Sequence, residues 1–163
     1  MKFFAIGDNG QLLEHEEGFH LKPEPETIIQ CAGLPFQPQA TLPNSSNLGY
    51  ARVLLDEASI AFFIKNLKLL TKQIDITYIW MIMSDSVKLQ KLLPTDFIQL
   101  VIDNIGLNPE QYTLAWATAK VTYTMDNFIA LKSKGGFYKS LFTVYLDIAK
   151  KMENASLRNQ LFD

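Results

Sequence analysis

The sequence contains only one cysteine, Cys31, among its 163 residues. A single thiol excludes a disulfide within the chain and a zinc site built from several thiolates, and it is typical of a protein kept in a reducing compartment. We therefore expect a cytoplasmic protein. Cys31 has no basic neighbour that would favour the thiolate, and the apolar Ile28 and Ile29 precede it closely, so we expect a buried structural thiol.

Neither sign of charge dominates the sequence, which has 15 Lys and Arg residues against 17 Asp and Glu residues and a net charge of -2. This balance gives no electrostatic reason to expect a nucleic acid or an anionic membrane as partner. The charge is unevenly distributed, however. Residues 1–49 have six acidic and two basic residues and so carry -4, whereas the remainder, with 11 acidic and 13 basic residues, carries +2.

Long hydrophobic runs are also missing. The densest apolar stretch, Ile74–Met83, is interrupted by Asp75 and spans only about 10 residues, where a membrane-spanning helix needs roughly 20. The apolar N-terminus is cut off at Asp8, too early for a signal peptide. The glycines are dispersed and form no phosphate-binding loop. With 48% hydrophobic residues, the chain is nevertheless apolar enough to build a packed core.

Strand signals are concentrated near the N-terminus. Lys2–Ile6 and Gln11–Glu17 flank Asn9-Gly10, the dipeptide that most readily forms a tight hairpin turn, so an antiparallel hairpin is predicted. The β-branched run Thr27–Cys31 is predicted as a third strand. The chain begins inside the first of these strands, and three short strands need further structure to cover their apolar face. We therefore expect them to be the end of a β-sandwich.

The rest of the sequence has the three- and four-residue spacing of apolar side chains that is typical of amphipathic helices. Capping residues, prolines and glycines predict where these helices begin and end. The predictions are a first helix over Asp56–Thr71, a second capped by Asp75, a third from Pro94 with Gly106 as a left-handed C-cap, a fourth from Asn108-Pro109 to Gly135-Gly136, and a fifth from Phe137, with Leu157–Phe162 as its continuation or a short sixth.

These elements predict a mainly α fold. Short connections between consecutive helices favour antiparallel helical hairpins in a HEAT- or armadillo-like array, preceded by a short antiparallel β segment. The corresponding division of the chain is a β segment over 1–43, the remnant of a β-sandwich; a junction over 44–55; and a helical-array domain over 56–163.

Two histidines invite comparison with the H-E-x-x-H zinc motif, because Glu16 directly follows His15 and His20 lies nearby. The spacing is wrong, since residues i and i+5 lie about 140° apart around a helix and on opposite faces of a strand. The acidic residues around them have no neighbours that suggest burial. We interpret this segment as a solvated acidic strand without metal.

Five aromatic residues are candidates for a ligand groove, although aromatic residues at helical spacing more often belong to a core. They are Trp80, Tyr112, Trp116, Tyr123 and Phe128. Lys132 and Lys134 lie near a predicted helix end, where lysines interact favourably with the helix dipole; a contact patch is the alternative.

The segment Leu42–Asp56 carries a family resemblance. Its order of proline, asparagine, a short polar run, Tyr50, Arg52 and Leu55-Asp56 resembles the stretch of aminopeptidase N family zinc aminopeptidases that leads from their β-sandwich domain into their C-terminal helical domain. Upstream, Phe3–Gly33 looks like the final strands of that sandwich. Downstream, the aspartate and tryptophan of Asp75–Trp80, then Asp85 and Pro94–Phe97, are similar to the family's next helices.

The sequence also departs from this family. It has Ile76–Tyr78 where the family often has an arginine, and Ser84 where the family often has a tryptophan. The zinc motif, its distal glutamate ligand and the G-A-M-E-N substrate strand belong to domains absent from this sequence, and Thr124–Asn127 resembles that strand only faintly, inside a predicted helix. No catalytic, cofactor-binding or metal-binding residue is therefore assigned.

The resemblance implies a non-catalytic C-terminal module, either a fragment or a stand-alone relative, that shapes substrate access when joined to the missing metal-binding domain. Zinc is the cofactor of the parent family, with none expected in this chain. The implied partner is the catalytic domain of the same or another chain, and Arg52 is a possible contact for a peptide carboxylate or, alternatively, part of a junction salt bridge. The alternative function is a protein-interaction scaffold that binds a peptide or protein on a concave helical face.

Overall fold

A computed structural model describes the chain in several stretches. These are residues 1–19, 24, 26–29, 31–46, 49, 51–107 and 111–151. Within them the chain is mainly helical, with five α-helices and one small antiparallel sheet, as predicted. The chain divides into two compact units, Met1–Ile82 and Met83–Asp163, with the boundary inside the second helix.

The described helices and strands follow the predicted order of a β segment and then helices. Their bounds are β1 Lys2–Ile6, β2 Leu12–Glu16, β3 Ala40–Leu42, α1 Glu57–Asn66, α2 Gln73–Lys88, α3 Pro94–Asn104, α4 Gln111–Phe128 and α5 Leu131–Lys151. Single 3-10 turns follow α1 at Leu67–Leu69 and α3 at Ile105–Leu107.

The sheet of the first unit has the strand order β2-β1-β3, with both pairs antiparallel. The predicted hairpin is confirmed: β1 and β2 pair with Lys2 opposite Glu16, and the turn between them contains Gly10 at a φ of 78°. Such a positive φ is one that glycine adopts without strain. Both faces of β1 are covered, because Phe4 packs on Phe63 of α1 and Phe3 packs on Phe19.

The predicted third strand is wrong. Thr27–Ile29 pairs with no other strand in the described residues, and Ile28 is 83% exposed. β3 is the third strand instead, with Leu42 opposite Lys2. A β-branched run prefers strands only where it fits a half-buried pleated surface, and this segment has no such surface. Cys31, expected to be a buried thiol, is exposed for the same reason.

The start of α1 is confirmed and also protects the sheet edge. Asp56 is the N-cap and accepts a hydrogen bond from the backbone nitrogen of Ser59 at 2.8 Å. Ser59 donates its hydroxyl to the second carboxylate oxygen of Asp56 at 3.0 Å and accepts the outward-facing amide of Thr41 in β3 at 2.9 Å. The Asp56–Ser59 pair therefore caps the first turn of α1. It also satisfies an edge-strand amide that would otherwise be open to pairing with another strand.

A buried ion pair joins β1 to α2. The Lys2 ammonium lies 2.5 Å from the Asp75 carboxylate, and their side chains are 6% and 1% exposed. Asp75 was predicted to cap α2, but the helix begins two residues earlier, at Gln73, so Asp75 lies in the first turn with its side chain bound to Lys2. A carboxylate needs a partner when it is buried, and this requirement takes precedence over local capping.

The same lysine also approaches the edge of the sheet. Lys2 lies 3.2 Å from Glu14 of β2, which also accepts a hydrogen bond from Lys72 at 2.8 Å. Burial acts to raise the pKa of Glu14, but the hydrogen bonds from Lys72 and Lys2 outweigh it and hold that pKa below its ordinary value of 4.5. Two lysines and two carboxylates thus form a neutral cluster between β1, β2 and the start of α2.

In the second unit, α3 packs against α4 and α5. Pro94 begins α3 as predicted, but Gly106 does not adopt the predicted left-handed conformation, because the chain continues into a 3-10 turn there. The predicted stop at Gly135-Gly136 is also wrong. α4 ends at Phe128, and both glycines lie inside α5. Glycine costs a helix interior about 1 kcal/mol relative to alanine, which a helix of 21 residues tolerates.

Some predictions lie outside the described residues. They concern the cap at Asn108–Glu110, the possible sixth helix over Leu157–Phe162, and His20. Within the described residues, none of the helices combines the length and the apolar character that crossing a membrane requires.

We predict that Lys2→Met will lower the free energy of unfolding by about 3 kcal/mol, because it leaves the Asp75 carboxylate buried without its partner. Urea denaturation followed by circular dichroism measures this change. The double variant Lys2→Met/Asp75→Leu should recover most of the loss, since it removes both charges together. The matched control Lys72→Met breaks an ion pair in which the lysine is exposed and should cost less than about 1 kcal/mol. Equal losses for the two single variants would contradict this account.

Candidate functional site

Of the two histidines, the structure describes His15, which is part of the sheet. His15 lies on β2, where its ring stacks on Phe3 with centroids 6.5 Å apart and its Nε2 lies 4.0 Å from a carboxylate oxygen of Glu17. Within the described residues, no group of three or more His, Cys, Asp and Glu side chains is placed to hold a metal ion.

Arg52 lies in the segment that precedes α1, outside any helix or strand, and is exposed. In the part of the chain that the structure describes, Arg52 makes no ion pair, and both of its suggested roles stay predictions.

The aromatic residues predicted as groove candidates fall into two groups. Trp80 belongs to the core of the first unit and is 1% exposed. Trp116, Tyr123 and Phe128 lie on α4 in the second unit, where Tyr123 and Phe128 are exposed and their rings meet edge to face at 6.3 Å. The ammonium of Lys120 lies over the Trp116 ring, 5.7 Å from the ring centroid. The structure does not describe the side chain of Tyr112. Trp80 is thus a core residue, whereas Tyr123 and Phe128 lie on the surface of the second unit.

The most distinctive surface feature is on α5. Leu131, Tyr138, Phe142 and Leu146 are separated by seven, four and four residues, which places them on one side of a helix with 3.6 residues per turn. They are 37% to 84% exposed. We call these four residues the α5 stripe. From Leu131 to Leu146 it extends about 22 Å along the helix.

Lysines line one flank of the α5 stripe. Lys132 and Lys139 each directly follow a residue of the stripe, and Lys150 lies one turn beyond Leu146. All three are exposed. α5 has five lysines against a single acidic residue, Asp147, and so carries a net charge of +4. The stripe therefore lies beside a row of positive charge.

A neighbouring face of α5 fixes the helix to the second unit. Leu141, Tyr145, Ile148 and Ala149 are buried there. The Tyr145 hydroxyl is hydrogen-bonded to that of Thr118 in α4. Burial raises the pKa of the Tyr145 phenol, an effect that the hydrogen bond with Thr118 only partly offsets. One side of α5 is thus packed against the second unit, and the adjacent side carries the exposed side chains of the α5 stripe.

The lysines at the start of α5 were predicted to interact favourably with a helix end, and this prediction is wrong. Because α5 begins at Leu131, Lys132 and Lys134 lie in its first turn, where the dipole disfavours positive charge. Lys134 is stabilised instead by Asp126 of α4, at 3.0 Å.

The α5 stripe is hidden in the sequence for a specific reason. Gly135-Gly136 was interpreted as a helix end, which separated Leu131 from Tyr138 and assigned them to different elements. The signal that identifies the stripe is the recurrence of large apolar residues on both sides of the glycine pair at helical spacing.

Comparisons with known proteins identify no relative of this chain: no protein-family model matches it, and neither do any curated protein or solved structure.

Proposed function

We propose that this chain is a protein-binding module that uses the α5 stripe to bind an acidic amphipathic helix of a partner protein. The observation that carries the proposal is the placement of four exposed large apolar side chains on one side of a single helix, next to a row of lysines. Contiguous exposed apolar surface bordered by charge is typical of interaction sites.

The geometry favours a helical partner. An amphipathic helix presents apolar side chains at i, i+3, i+4 and i+7, and these can pack between Leu131, Tyr138, Phe142 and Leu146 along one line. Aromatic side chains such as Tyr138 and Phe142 provide much of the binding energy when an interface excludes water from them.

The charge favours an acidic partner. Carboxylates on the partner helix would face Lys132, Lys139 and Lys150 along the same flank of the stripe. Such complementary charge raises the association rate and fixes the register, and both effects weaken as salt is added.

We predict that the double variant Phe142→Ser/Leu146→Ser will bind a synthetic helical peptide with leucines at i, i+3, i+4 and i+7 and glutamates on one flank at least about tenfold more weakly than the wild type. Fluorescence anisotropy of the labelled peptide gives the dissociation constants. Thr143→Ser, a substitution on the polar side of the same helix, is the matched control and should leave binding unchanged. Circular dichroism checks that each variant is folded.

Three outcomes of this experiment would contradict the proposal. The first is equal binding by the double variant and the control. The second is a concentration-dependent dimer in sedimentation equilibrium that the same double variant abolishes, which would make a second copy of the chain the occupant. The third is stripe-dependent binding to phosphatidylserine vesicles that is stronger than binding to the peptide, which would make a membrane surface the occupant of the stripe.

The second candidate function is the one implied by the aminopeptidase N resemblance, a non-catalytic C-terminal module in a HEAT- or armadillo-like arrangement that shapes substrate access to a separate metal-binding domain. The segment that carries the resemblance supports it by joining the sheet to the first helix. Asn44, at a φ of 51°, donates to the Gly49 carbonyl at 2.8 Å and accepts the Gly49 amide at 3.0 Å. Asp56 then caps α1.

For this second function we predict that the purified chain with added zinc will not hydrolyse aminoacyl substrates, and that a polypeptide with an H-E-x-x-H motif will co-purify with it. Turnover abolished by a chelator would contradict the non-catalytic assignment. Co-purification of a non-peptidase assembly would instead favour the interaction scaffold. Mass spectrometry of the purified assembly distinguishes these two partners.

A further inference from the structure

The second unit contains a pocket where α2 ends and α3 begins. Its volume is about 330 Å³. Val87 and Leu92 contribute buried apolar surface to it, while Leu93, Pro94 and Phe128 line it with partly or fully exposed side chains. The pocket is therefore apolar inside and open to solvent. None of its lining residues belongs to α5, so it is separate from the α5 stripe.

The backbone that forms the pocket is held in a specific turn. The Lys91 amide donates to the Ser86 carbonyl at 2.9 Å, and the Gln90 amide donates to the Val87 carbonyl at 3.0 Å. These two bonds define a Schellman motif, in which the residue after the helix adopts a left-handed conformation and is usually glycine. Here that residue is Gln90, at a φ of 59°. The side chain at this strained position lines the pocket.

Two lysines give the pocket a positive side. Lys88 and Lys91 both line it and are exposed. Lys88 pairs with Asp85 at 2.8 Å. Lys91 makes no ion pair in the part of the chain that the structure describes, so its charge is available to a ligand.

We propose that this pocket binds the free C-terminus of a peptide that ends in a large apolar residue. The terminal side chain would lie against Val87, Leu92 and Phe128, and the terminal carboxylate would accept hydrogen bonds from Lys91 and, in exchange for Asp85, from Lys88.

The proximity of the lysines to the apolar surface favours a terminal residue over other acidic ligands. A C-terminal residue carries its carboxylate and its side chain on one Cα, so both groups fit a single pocket of this volume. An internal aspartate or glutamate carries its apolar neighbour on another residue, pointing elsewhere. The opening at Leu93 lets the preceding residues of the peptide leave the pocket.

The test uses the complete chain and a fluorescein-labelled hexapeptide that ends in phenylalanine. Fluorescence anisotropy should show saturable binding, and amidation of the peptide C-terminus or replacement of its phenylalanine by serine should each weaken binding by about tenfold or more. Lys91→Gln should abolish most of the difference between the acid and the amide. Leu93→Ser should weaken binding of both peptides, and because Leu93 is 64% exposed this variant is expected to fold.

The controls identify the site and the source of the carboxylate. Lys68→Gln changes an exposed lysine of the first unit and should leave binding unchanged. Phe142→Ser/Leu146→Ser should also leave it unchanged, which separates this inference from the function proposed for the α5 stripe. Equal affinity for acid and amide, tighter binding of decanoate than of the peptide, or no saturable binding at millimolar peptide would each overturn the proposal.

Discussion

The buried contact between Lys2 and Asp75 is the constraint on which the first unit depends. Both side chains are almost completely removed from water, so each charge requires the other as a partner. β1 is the central strand, and its position fixes β2 and β3 on either side of it. The pair therefore fixes the whole sheet against the first turn of α2. Aromatic packing between Phe4 and Phe63 can adjust by small shifts, whereas a desolvated ion pair tolerates little displacement.

Local chemistry predicted the elements whose signals lie within a few residues. Asn9-Gly10 predicted the hairpin, Asp56 the start of α1 and Pro94 the start of α3, and all three are confirmed. The predictions fail where contacts between distant residues determine the local structure. Asp75 bonds to a residue 73 positions earlier in the chain, and no local pattern contains that information. α4 ends without a glycine or proline at Ile129-Ala130, so its end has no local signal of the kind that predicts a helix stop.

The candidate site was less predictable than the fold. Sequence spacing places apolar residues on a helix face, but it does not say which part of a wide apolar face the rest of the protein covers. On α5 the large apolar residues extend from Tyr145 and Ile148, which are buried, to Phe142 and Leu146, which are exposed. Only packing against α3 and α4 separates the two groups. The aromatic residues of α4 illustrate the same limit, since Trp116 and Tyr123 share a helix surface but were grouped with the buried Trp80.

The glycine pair in α5 adds a further argument about this surface. Gly135 lies four residues after Leu131 and is therefore on the side of the helix that carries the α5 stripe. A Cβ atom at either Gly135 or Gly136 would meet no other atom within 4 Å among the described residues, so no packing contact described within the chain requires glycine there. Two glycines nevertheless destabilise the helix by about 1 kcal/mol each relative to alanine. Glycine lets another backbone approach closely, and a partner helix lying along the stripe would pass over this position. The partner helix proposed for the stripe would therefore account for two glycines that no described contact of the second unit requires.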